Sequence, residues 1–77
     1  MIEVFKTNVG LSIHAKMLTD VIHSRFDGYA ANFDLEDCDR ILRIEAGAGV
    51  DHVAIVGLLR DFGFHGEVLA DDEPVLR

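Results

Sequence analysis

A lone cysteine, Cys38, rules out any internal disulfide in this 77-residue chain. Small secreted domains depend on such staples, so a reducing cytoplasm is the expected compartment. Positive charge is the next scarcity. Seven Lys and Arg stand against 14 Asp and Glu, a formal net charge of -7 at pH 7. Nucleic-acid binding requires cations that neutralise phosphates and displace counterions, so it is excluded. Anionic membrane surfaces are excluded on the same ground. Cationic groups, metal ions and basic protein surfaces are electrostatically easier partners. No apolar run approaches the roughly 20 residues of a membrane span. The start, MIEVFK, enters an alternating pattern directly and is unlike a signal peptide. Catalytic signatures are missing too: there is no nucleophile elbow, no glycine-rich phosphate loop and no HExxH pair. The expectation is a soluble protein that is not an enzyme.

What remains is enough for one core. Hydrophobic residues make up 49% of the chain, too many for a disordered segment. A domain this short buries only about 60% of the surface its unfolded chain exposes, so its margin is thin. Ile2 to Thr7 alternates and is rich in β-formers, which predicts a strand that Asn8 and Gly10 break. Ser12 offers an N-cap hydroxyl. From there to Arg25, Leu11, Ala15, Leu18 and Ile22 fall on one arc at helical spacing, opposite Lys16, Thr19, Asp20 and His23. Asp27 and Gly28 form a turn. Tyr29 to Phe33 reads as a strand, residues 35–39 as an acidic hairpin loop, and Arg40 to Glu45 as the returning strand. Gly47 and Gly49 flank a turn before a second helix. Asp51 stands at its amino end, Ile55, Leu58, Leu59 and Phe62 form its apolar stripe, and Gly63 ends it. Glu67 to Ala70 is a last strand, and residues 71–77 read as an acidic tail.

This order predicts an α+β fold of the ferredoxin-like, split βαβ kind: β-α-β-β-α-β, a four-stranded antiparallel sheet with both helices on one face. The domain is expected over residues 1–70. Either Val4 or Phe5 can face the helices; alternation alone leaves that open.

Three stretches, IEVFKTNVGLSIHAKML, FDGYAANFDLEDCDRILRIEA and VAIVGLLRDFGFHGEVL, together resemble the heavy-metal-associated, metallochaperone-like domains over nearly the whole chain. That family carries Met-x-Cys-x-x-Cys between its first strand and first helix. Aligning on the apolar stripe puts its cysteine positions at Leu11 and His14, with Val9 at the Met; aligning on Gly28 puts them at Ser12 and Ala15. Neither alignment supplies a cysteine, so the resemblance implies the fold without the thiolate pair that carries soft metals.

The inferred connectivity brings three segments to one end of the sheet: the first strand-helix loop, the hairpin and the second helix-strand loop. His14, Cys38, His65 and the hairpin acids Asp34, Glu36, Asp37 and Asp39 would share that rim. Imidazole, thiolate and carboxylate together suit zinc, nickel or another divalent transition metal better than Cu(I). Each also has a plainer reading, as a boundary histidine, a surface cysteine or a solvated hairpin. His23 and His52 fall toward the other end. An RNA-binding module of this plan would show aromatics on the central strands, and RILRIEA has none. The alternative to metal binding is a protein-interaction or ligand-sensing regulatory domain, as a monomer or weak homodimer. Val53, Val56 and Gly57 lie outside the second helix's buried arc. Gly57 costs a helix interior about 1 kcal/mol against Ala, which calls for close helix packing or an apolar contact patch.

Overall fold

The computed structural model describes residues 1–69. The tail expected at 71–77, and Ala70 before it, lie outside them. Six elements follow in order: β1 (Ile2–Thr7), α1 (Ser12–Arg25), β2 (Ala30–Asp34), β3 (Ile41–Glu45), α2 (His52–Asp61) and β4 (Gly66–Val68). The strands form one antiparallel sheet in the order β2-β3-β1-β4, the α+β ferredoxin-like arrangement expected from the pattern.

The strand parity is decided in favour of Phe5. Phe5 pairs with Leu42 and Glu3 with Ile44 across β1 and β3, while Phe33 and Ala31 take the same two partners from β2. Side chains of paired residues share a sheet face. Phe5, Leu42 and Ile44 are therefore one layer, and they are fully buried with Leu18 and Ile22 of α1 and Ile55 and Leu59 of α2. Each such side chain contributes about 1.5–3 kcal/mol by leaving water. Lys6 falls on the opposite face and stays exposed. The inward parity also brings in Thr7, at 6% exposure. It is tolerated because its hydroxyl is used twice: Oγ1 donates to the Arg40 carbonyl at 2.6 Å and accepts from the Val9 amide at 3.2 Å.

Element ends differ from expectation for local reasons. Leu11, not Ser12, occupies the α1 cap position, with an extended backbone (φ -111°, ψ 138°) and no side-chain cap. An extended residue lies off the helical wheel, so Leu11 leaves the apolar stripe and is 57% exposed. Phe62 likewise ends up at the C-cap of α2, partly exposed. Tyr29 stays outside β2 because its ring stacks on Phe26, centroids 4.9 Å apart, and its hydroxyl accepts from the Asp51 amide at 2.8 Å. Arg40 stays outside β3 because it adopts φ 49°, which no strand allows. Its guanidinium fastens that turn by donating to the Leu35 carbonyl at 2.8 Å. The Asp51 cap is as expected, its Oδ1 accepting from the Ala54 amide at 3.1 Å. So is Gly63, whose φ of 87° is the left-handed value a helix end demands. β4 begins one residue early, at Gly66. A Cβ there would overlap a terminal methyl of the buried Leu59, so any other residue would force that side chain to shift.

Candidate functional site

Two places on the molecule combine unusual chemistry with access to solvent. The first is the rim where three loops were expected to meet, and they do. From β1, Thr7 donates its amide to the Asp39 carbonyl at 3.1 Å and Asn8 donates to the His65 carbonyl at 3.3 Å. In return the His65 amide donates to Asn8 Oδ1 at 2.8 Å. The His14 ring, from the first turn of α1, packs on Phe64 with centroids 5.3 Å apart.

Within this rim the expected ligands divide. His14 and His65 lie on the side of the α2-β4 loop, His14 against Phe64 and His65 Nε2 at 3.9 Å from Glu67 Oε1. Cys38 is exposed in the hairpin. Among the described residues, the ligating atoms that lie within 4.8 Å of one another are those of Asp37, Cys38 and Asp39. Much of that carboxylate chemistry already serves the hairpin. Asp37 Oδ1 accepts from the Asp39 amide at 2.9 Å, Asp34 Oδ1 accepts from the Glu36 amide at 3.3 Å, and Asp39 Oδ1 faces Lys6 Nζ at 3.8 Å. The other two histidines have structural work elsewhere. His23 Nε2 accepts from the Ala31 amide at 2.9 Å, and His52 Nε2 lies 3.3 Å from Glu3 Oε1 with its ring edge-on to Phe5.

The second place is a groove of about 390 Å³ along the outer flank of α2, lined by His52, Val53, Val56, Gly57, Arg60 and Val68. Its origin is a second stripe on the helix. Ile55, Leu58 and Leu59 point into the core, while 53, 56, 57 and 60 recur at i, i+3, i+4 and i+7 on the neighbouring face. Val53 is 83% exposed. Gly57 does not serve helix packing: a Cβ built there meets nothing within 4 Å. Its missing side chain deepens the groove. Arg60 stands exposed at the far end, and none of the ion pairs among the described residues uses it. Sequence reasoning found Val53, Val56 and Gly57 but missed three wall residues. Arg60 was recoverable as the i+7 member of the stripe. His52, one turn before Val56 on the same helix, was recoverable in the same way; Val68 lines the groove only because β4 lies beside α2.

No family model, no curated protein and no solved structure matches the chain. Among the described residues no helix is long and apolar enough to cross a membrane.

Proposed function

We propose that this chain is a small protein-interaction module that docks a partner on the outer flank of α2. One observation carries the reading: a groove whose lining includes a helical glycine with open space beside it and an 83%-exposed valine. Leaving Val53 in water and Gly57 in a helix interior both work against the isolated fold. A partner that covers Val53 recovers its burial, and the space left beside Gly57 admits a partner side chain. Photo-cross-linking from position 53, against a control position Lys16 on the exposed side of α1, tests this in cells. A specific adduct from position 53 that vanishes with Gly57→Leu, where the added side chain fills the groove, supports docking. Equal labelling from both positions, or an adduct indifferent to Gly57→Leu, defeats it.

A second reading is favoured by the proximity of Asp37, Cys38 and Asp39: a divalent transition metal such as zinc held at the rim. Tetrahedral zinc needs ligand atoms at about 2.0–2.3 Å, which a 4.8 Å cluster reaches with small side-chain movements. A fourth ligand would have to come across from the adjoining loops, as His14 or His65, neither of which lies within 4.8 Å of the trio. The layout shared with heavy-metal-associated domains supports it, and the missing thiolate pair separates it from Cu(I) carriage. Calorimetric Zn²⁺ titration of wild type, Cys38→Ser and His14→Ala decides it. Wild type that binds no better than either variant removes the metal reading.

A further inference from the structure

The groove on α2 does not end at the helix; it continues onto an open sheet edge, and that continuity says what kind of chain fits there. The hydrogen-bond phase of β4 follows from one bond. Leu69 donates its amide to the Val4 carbonyl at 2.9 Å, and Lys6 faces Glu67. Successive residues of a strand direct their N–H and C=O groups to opposite sides. Glu67 and Leu69 therefore face β1, and Gly66 and Val68 turn theirs outward. Among the described residues nothing bonds to those outward groups. Val68 also projects its side chain to the helix side of the sheet, where it forms one wall of the groove.

The opposite edge is treated differently. On β2, the outward amide of Ala31 is taken up by His23 Nε2 from the end of α1. A sheet that covers one edge with a side chain and leaves the other bare is asymmetric in its readiness to accept a strand.

The geometry points to strand addition: β4 takes an extended segment of a partner polypeptide as a fifth strand, aliphatic at alternate positions and carrying an acidic residue. The inference rests on the docking reading of the same groove and names its occupant. A strand beside β4 lies about 4.8 Å further out, next to the α2 flank that shares the groove with Val68. Every second side chain then points to the helix layer and meets Val53, Val56 and the space above Gly57. Aliphatic side chains at those positions match the lining. The acidic residue follows from charge. Among the described residues no ion pair uses Arg60, whereas His52 already faces Glu3. The six lining residues include no carboxylate. A second copy of this chain placed edge to edge about a twofold axis would bring another His52 and Arg60 to the interface and no groove carboxylate to meet them. Basic segments would be repelled by Arg60 at close range.

The test starts from an unbiased probe, a random 12-residue peptide library displayed on phage and selected against the full chain. Enriched peptides are synthesised and titrated into ¹⁵N-labelled protein. The expected result is an alternating aliphatic pattern with at least one Asp or Glu, and amide shifts concentrated at Gly66, Val68, Val53, Val56 and Gly57. Three variants follow. Val68→Pro removes one outward donor while leaving the bonds to β1, and weakens binding at least tenfold. Arg60→Glu weakens it at least fivefold and shifts selection toward basic peptides. Gly57→Leu, whose Cβ would meet nothing within 4 Å, weakens it at least tenfold, and circular dichroism checks that this variant is folded should the proline variant unfold. Helical or basic peptides that bind the groove of the wild type overturn strand addition while leaving the docking reading standing. Binders whose footprint never reaches the groove, or no binders, overturn both. A concentration-dependent dimer with shifts at the same amides makes a second copy the occupant and overturns the partner assignment.

Discussion

At the scale of single residues, this fold depends on a few side chains that finish what the backbone leaves open. Thr7 is the clearest case. Its hydroxyl joins β1 to the hairpin 33 residues away through Arg40 and steadies the entry to α1 through Val9. Thr7→Val keeps the shape, removes the hydroxyl and leaves two polar groups without a partner. Each such group costs about 1–3 kcal/mol when water cannot reach it. We expect Thr7→Val to lose about 2 kcal/mol in urea denaturation, within the range for one such loss, and Thr7→Ser to lose less. Asp51 is a second case, capping α2 through the Ala54 amide. Asp51→Ala should cost about 1 kcal/mol, with Asp51→Asn close to wild type. An equal loss in both would mean that charge, not the hydrogen bond, does the capping.

The scale of elements is where α2 departs from a merely structural helix. It carries two stripes: one is buried in the core, while the other touches the core only through Val56 and leaves Val53 and Arg60 exposed. Gly57→Ala therefore separates stability from function. The added methyl touches nothing within 4 Å, and alanine is favoured over glycine in a helix interior by about 1 kcal/mol. Thermal unfolding should show Gly57→Ala to be more stable than wild type. A decrease in stability would mean that the flank is already packed against something. The same contrast holds between the sheet edges: α1 lends His23 to the outward Ala31 amide of β2, while among the described residues nothing bonds to the outward groups of β4.

Across the whole molecule, one layer of large side chains carries the stability. A domain of this size has about 3–5 kcal/mol to lose, and a buried Leu→Ala change removes about 2–5 kcal/mol. Leu42 is fully buried at the centre of the sheet, opposite both Phe5 and Phe33. Leu42→Ala is expected to leave most of the protein unfolded at 25 °C by circular dichroism. Ile13→Ala, at a residue 72% exposed on α1, should be indistinguishable from wild type. A folded Leu42→Ala protein would show that the core repacks or that a partner supplies the missing stability.

The order of the elements, the stripe Ala15, Leu18 and Ile22, the Asp51 cap and the Gly63 stop were all legible in the sequence. Each depends on residues within about one helical turn of one another, and so does the second stripe from Val53 to Gly57. Positions that answer to distant partners were not legible. Phe5 faces inward because Leu42 and Ile44 meet it from another strand, and Glu3 follows it to His52. Arg40 leaves the strand because its guanidinium closes the hairpin. His14, Cys38 and His65 share a rim through bonds spanning 33 and 57 residues, and tertiary packing then turns His14 onto Phe64 and leaves Cys38 among its neighbouring aspartates. Periodicity states which face of a helix is apolar. Whether that face is covered, as at Leu59, or open, as at Gly57, depends on which strand the chain lays beside it, and that is decided only when the sheet closes.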